Sequence, residues 1–147
     1  MLIKDFYSIY IIKQLIWLPP LFQQSLYFLI LFVSNYFDEF ILSFAKKLKN
    51  LQRPIFLRFA HEFDNPFYPW YVNEEVDAIR FKKAWIHVYE LFKFNNVNNV
   101  IWIWNPWKAE NVASFYPGKE YVDWIGVNIL NYGMFNPDTT EHEFSEL

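Results

Sequence analysis

Glu62 is the residue through which this sequence could do chemistry. It stands in the segment RFAHEFDN with Arg58, His61, Asp64 and Asn65 close by, and Phe67, Tyr68, Trp70 and Tyr71 follow in the same stretch. A carboxyl group among an imidazole, a guanidinium and amides can move protons or hold charge. Flat rings set among hydrogen-bonding groups suit a ligand with hydroxyls to bond and a C–H face to stack, which is what a sugar offers. Trp70, Trp104 and Trp107 are the candidate stacking platforms. Trp102 and Trp104, two residues apart, share a strand face, and Trp102, deeper in the strand, is expected in the core.

Other chemistry-bearing patterns are weaker. Ser43-Phe44-Ala45-Lys46 matches S-x-x-K but lies on an amphipathic helix without partner motifs. His61-Glu62 does not open a zinc-protease motif, because position 65 is Asn rather than His. His61, His87 and His142 are too scattered to argue for a metal site, so neither metal nor cofactor is expected.

The elements that must position Glu62 can be read from periodicity. Phe37, Phe40, Ile41, Phe44, Leu48 and Leu51 recur at helical spacing, and the helix ends at Gln52-Arg53-Pro54 because proline disfavours helix in the residue before it. Residues 54–59 then read as a short buried strand with His61 and Glu62 at its exit. Residues 64–73 hold two prolines and four aromatics and form a loop. A second helix starts near Asn73 and Glu74, buries Val76, Ile79, Ala84, Trp85, Val88 and Phe92, and ends near Asn95-Asn96. Residues 100–104 form a strand buried on both faces and stopped by Asn105-Pro106, and residues 124–129 a third strand after the turn Pro117-Gly118. Alternating helices and short apolar strands imply parallel βα units. Only three glycines are present, none as G-x-G, so a phosphate-binding doubly wound sheet is a poorer fit than a (β/α) barrel.

Composition narrows the class further. A chain of 147 residues with net charge −3 and pI 5.6 fits one domain and offers no basic footprint for nucleic acid. With no cysteine there is no disulfide framework or thiolate site. Seventeen Phe, ten Tyr and seven Trp exceed what a core of this size needs, so some rings are free for recognition. Residues 1–33 differ from the rest: apolar clusters broken by Pro19-Pro20 and Gln23-Gln24. Their longest apolar run, residues 26–33, falls well short of the roughly 20 residues that cross a bilayer. No small-residue cleavage site follows it, so a signal peptide is unsupported.

Taken together, RPIFLRFAHEFDNPFYPW, NNVIWIWNPW and FYPGKEYVDWIGVNILNYG resemble strands four, five and six of glycoside hydrolase family 26, the β-mannanase-type retaining barrel enzymes. The resemblance covers roughly residues 38–133 and divides the chain into an apolar segment of uncertain origin (1–33), a partial (β/α)8 TIM barrel of about three or four βα units (34–135) and a polar tail (136–147). It implies that Glu62 is the acid/base, that His61 helps position substrate, and that Trp70, Trp104, Asn131 and Tyr132 line sugar subsites. The implied partner is a β-1,4-linked mannan or related glucan-type polysaccharide, and the implied location secreted or cell-envelope.

A retaining enzyme also needs a nucleophilic carboxylate about 5 to 5.5 Å from the acid/base. The family's lies on strand seven, and none is found here: Asp138, Glu141, Glu143 and Glu146 follow no apolar strand, and Asp123 precedes its own. The chain is therefore expected to be inactive alone and to need a complementing barrel fragment. Arg58 shares strand parity with Glu62 if no bulge intervenes. A guanidinium opposes the raised pKa that a general acid needs, so Arg58 is expected to support the nucleophile instead. Two other readings remain at this point: a non-catalytic carbohydrate-binding remnant and a membrane-associated accessory segment.

Overall fold

The computed structural model describes residues 8–9, 25–68, 70–72, 75–108 and 112–128. Their elements run β1 (Ser8–Ile9), α1 (Ser25–Val33), α2 (Asp38–Asn50), β2 (Ile55–Leu57), α3 (Glu75–Phe94), β3 (Val100–Trp104), α4 (Val112–Phe115) and β4 (Trp124–Ile125). The strands pair in sequence order and every pairing is parallel. With helices between them, this is a partial (β/α) barrel.

Local sequence accounts for the boundaries. In α2, Asp38 and Glu39 lie in the first turn and Lys47 and Lys49 in the last, each complementing the helix dipole. Of the predicted stripe Phe37, Ile41 and Leu48 are buried, Phe40 and Phe44 are half-buried and Leu51 past the end stays 43% exposed, while Ala45 is buried in addition. Two residues past the end of α3, Asn96 turns the chain with a left-handed φ of 55°. The Asn96 and Val97 amides then bond the carbonyls of Lys93 (3.0 Å) and Phe92 (3.1 Å), which satisfies the last turn.

The buried face of α3 starts differently from the periodicity reading. Val76 and Ile79 are exposed, and Asp77, Ala78 and Phe81 are buried instead. Phe81 takes the inner position because Phe63 and Phe115 both pack on its ring, at 4.4 and 5.9 Å. Ala84, Trp85, Val88 and Phe92 are inside as expected.

β3 covers the predicted residues but is fully buried on one face only. Trp102 and Trp104 face the helices, with Trp102 against Trp85, Tyr89 and Phe92. Ile101 and Ile103 are half-buried, and the register pairs them with Phe56 and Trp124 respectively. The third strand is shorter than expected: β4 ends at Ile125, and residue 129 lies outside the described residues. A helix at Ser25–Val33 was not foreseen. It lays Leu29 and Phe32 into the same core as α2 and α3, with the Phe32 ring 5.0 Å from Phe59.

Among the described residues β1 and β4 each pair on one side only, and beside the open edge of β4 Trp124, Ile125 and Val127 are 62, 58 and 74% exposed. Unpaired strand edges flanked by apolar side chains recruit other chains. The 147-residue chain expressed by itself is therefore expected to associate, read by light scattering. A monodisperse monomer that melts cooperatively would contradict this.

Candidate active site

Just beyond β2 the backbone leaves the strand by an unusual route. Ala60 and Glu62 both hold left-handed conformations, φ 44° and 50°. Such a conformation is strained for residues with a Cβ and persists only where surroundings enforce it. Here the enforcing contact is a 2.6 Å hydrogen bond from the Glu62 amide to the Asn105 carbonyl, at the end of β3. Strand parity therefore does not carry from Arg58 to Glu62. The two still converge, because Asn105 receives both: its carbonyl takes the Glu62 N–H and its Oδ1 takes Arg58 Nη1 at 2.7 Å.

The Glu62 carboxylate is half-buried and lies between two amides. Asn65 Nδ2 donates to Oε2 at 2.7 Å, and Asn128 Nδ2 to Oε1 at 3.1 Å. The Asn65 side chain is itself oriented, since its Oδ1 accepts the Phe67 amide at 3.1 Å. Asp64, two residues on, clamps the neighbouring loop: Oδ1 accepts the Trp107 amide at 2.6 Å and Oδ2 the Lys108 amide at 2.8 Å. The segment after β2 is thus tied to the ends of β3 and β4.

The expected site residues fare differently. Glu62 and Arg58 are brought together as described. His61 is 5% exposed, its ring packed against both Tyr68 (4.9 Å) and Trp70 (5.3 Å). Trp70 and Trp104 depart from their expected role as platforms, being 2% and 0% exposed. Trp70 stacks on Tyr68 at 4.6 Å and donates Nε1 to the His61 carbonyl at 2.8 Å, so it braces the strained segment. Trp104 fills the core against Phe63 and Tyr116, because the helix-facing side of β3 is where its parity puts it. Rings left accessible in the segments tied to Glu62 include Phe67, 88% exposed, and the half-buried Tyr68, Tyr71 and Trp107, the last with Lys108 Nζ 4.8 Å from its centroid. Asn131, Tyr132, Asp138, Glu141, Glu143 and Glu146 lie outside the described residues. Asp123 is at the start of β4, where Oδ2 accepts the Trp102 amide at 2.8 Å.

Asn105 and Asn128 were missed. Spacing alone marks Asn105 as a strand stop and places Asn128 in an apolar strand. The available signal is a polar residue ending one apolar run and interrupting the other. Gly126 belongs with them: a Cβ there would sit 3.0 Å from Asn105 Cβ, so the glycine lets Asn105 approach β4. Ser43 and Lys46 are both exposed on α2. Among the described residues no group of three or more His, Cys, Asp or Glu could hold a metal, and no helix is long and apolar enough to cross a membrane.

A parallel βα array with a pinned carboxylate beyond the carboxyl end of a strand is the arrangement of barrel enzymes, which place their reacting groups at that end. The chain belongs to glycosyl hydrolase family 26, whose model matches residues 32–143. Among curated relatives it is 30% identical over 105 residues to endoglucanase H of Acetivibrio thermocellus and 33% over 85 residues to mannan endo-1,4-beta-mannosidase B of a Piromyces species. These stretches are 65% and 57% of this chain but 12% and 13% of those proteins. Among solved structures, a β-mannanase from a symbiotic protist of the termite Reticulitermes speratus, complexed with gluco-manno-oligosaccharide, superposes with TM-score 0.54 at 29% identity. That match covers 62% of this chain and 28% of that one. A Bacillus subtilis mannanase, at 21% identity and TM-score 0.56, shares the fold over 72% of this chain and 35% of its own.

Proposed function

We propose that these residues form the acid/base half of a retaining glycosidase site acting on β-1,4-linked mannan or a related glucan-type polysaccharide, with Glu62 as the acid/base. The observation that carries this is Glu62 itself: a carboxylate on a strained, pinned turn beyond the carboxyl end of β2, held between two amides. Rigid placement of the proton donor against the glycosidic oxygen is what general acid catalysis requires. Phe67 and Trp107 are the rings that could stack on sugar faces, and the names of the relatives support mannan first and glucan second.

In the retaining sequence Glu62 protonates the departing oxygen as a carboxylate attacks the anomeric carbon, then deprotonates the water that releases the sugar. Asp64 and Asp123 are engaged with backbone amides, and in this reading the attacking carboxylate comes from outside the described residues. By this reading the 147-residue chain is inactive alone and gains activity with the missing barrel strands. The test is hydrolysis of β-1,4-mannan, glucomannan and β-1,4-glucan by the chain alone and joined to a family 26 barrel remainder. Cleavage of mannan or glucomannan only in the joined form is expected. No cleavage of any of the three by a folded joined form would overturn the proposal.

A further inference from the structure

We infer that Arg58, Asn105 and Asn128 form a one-way hydrogen-bond relay that holds an amide N–H on the Glu62 carboxylate, which makes Asn105 and Asn128 positioning residues; its functional meaning rests on the role of Glu62 proposed above. A guanidinium can donate but never accept. Arg58 Nη1 lies 2.7 Å from Asn105 Oδ1, so this end of the Asn105 amide has to be its oxygen. The nitrogen is then turned toward three acceptors: the Gly126 carbonyl at 3.0 Å, the Pro106 carbonyl at 3.3 Å and Asn128 Oδ1 at 3.3 Å. The same constraint passes on. With Oδ1 facing Asn105, Asn128 must direct Nδ2 at the Pro106 carbonyl (3.3 Å) and at Glu62 Oε1 (3.1 Å).

Reversing either amide would set donor against donor or oxygen against oxygen, so the direction is fixed along the whole series. Bonds that all donate the same way also polarise one another. Asn65 holds the other carboxylate oxygen with an amide locked by Phe67. Neither oxygen of Glu62 therefore meets an acceptor among these amides. A carboxyl proton has to point away from them. The relay aims the proton as well as the carboxylate.

The test reads the asparagine side chains of the full chain directly. Sedimented protein carrying ¹⁵N-asparagine and ¹³C-glutamate is studied by magic-angle-spinning NMR, with the Asn128 amide assigned by its loss in Asn128→Asp and the Glu62 carboxyl carbon by its loss in Glu62→Gln. In the unaltered chain, the dipolar coupling between Asn128 Nδ2 and the Glu62 carboxyl carbon is expected at hydrogen-bonded distance. Arg58→Met is expected to shift the Asn128 amide resonances through Asn105, and Arg58→Lys, which restores a charged donor, to bring them back. If Arg58→Met does not fold, Asn105→Asp decides, because it keeps the acceptor for Arg58 and removes the donor to Asn128. A missing coupling, or an Asn128 amide unmoved in the folded variants, would overturn the relay. These readouts need no turnover, so the relay can fail while Glu62 remains the acid/base, and the reverse.

Discussion

In protein carrying the completed site, Glu62→Gln is expected to lose hydrolysis of unactivated β-linked polysaccharide by about 10²–10⁴-fold, the usual contribution of general acid–base catalysis. The same variant should keep a much larger share of its first-step rate on an aryl glycoside, whose leaving group departs without a proton. The second step still needs a base to activate water, so the glycosyl-enzyme should accumulate as a burst. Azide, which attacks without deprotonation, should restore turnover. Glutamine matches glutamate in size but puts an NH₂ in place of one oxygen, and both flanking amides, Asn65 and Asn128, already present donors. One of the two hydrogen bonds to the carboxylate is therefore lost, at a cost of about 1.5–3 kcal/mol. The retained aryl glycoside rate, which needs folded protein, lets the kinetic pattern be read as chemistry. Wild-type polymer cleavage by Glu62→Gln would remove Glu62 from the mechanism.

The sequence carried the chemistry of single residues better than their surroundings. Glu62 was legible because the short apolar strand ending at Leu57 fixes where its exit lies, and β3 was legible to the residue, since a β-rich run stopped by Asn105-Pro106 leaves no freedom in its ends. The fate of the tryptophans was not. Whether Trp70 or Trp104 faces a ligand or the core depends on Tyr68, Phe63 and Tyr116, contacts that the residue spacing does not encode. Alternation placed Trp104 with Trp102 on one face, but which face meets the helices is settled only by α3 packing there.

The left-handed turn at Ala60 and Glu62 was invisible for a related reason: neither residue favours that conformation, and it is imposed from a neighbouring strand. It also breaks the strand parity between Arg58 and Glu62, which held only if no bulge intervened. Arg58 instead reaches the Asn105 side chain. Asparagine within apolar runs is a signal that a sequence does contain. Asn105 and Asn128 stand just past the apolar strands β3 and β4, one buried and one half-buried, and amides so placed persist only when their partners are provided.

Asp64→Ala is expected to destabilise the site by about 3 kcal/mol, since it removes two charge-assisted hydrogen bonds, each worth about 1.5–3 kcal/mol, and leaves two amides without an acceptor. Asp64 is 7% exposed, and its two oxygens serve consecutive amides, Trp107 at 2.6 Å and Lys108 at 2.8 Å. Asp64→Asn should fall between wild type and alanine, because its new N–H₂ turns one of the two contacts into donor against donor. Hydrogen exchange reads this without requiring a monomeric chain. Protection of the Trp107 and Lys108 amides should drop in Asp64→Ala, while that of the β2–β3 ladder, which does not depend on Asp64, should hold. Unchanged protection at 107 and 108 would show that the clamp does not stabilise the loop. The kinetic consequence separates Asp64 from Glu62. Asp64 touches no reacting atom in the proposed mechanism but fixes Trp107 relative to the carboxylate, so its loss should raise KM more than it lowers kcat, whereas Glu62→Gln should act on kcat.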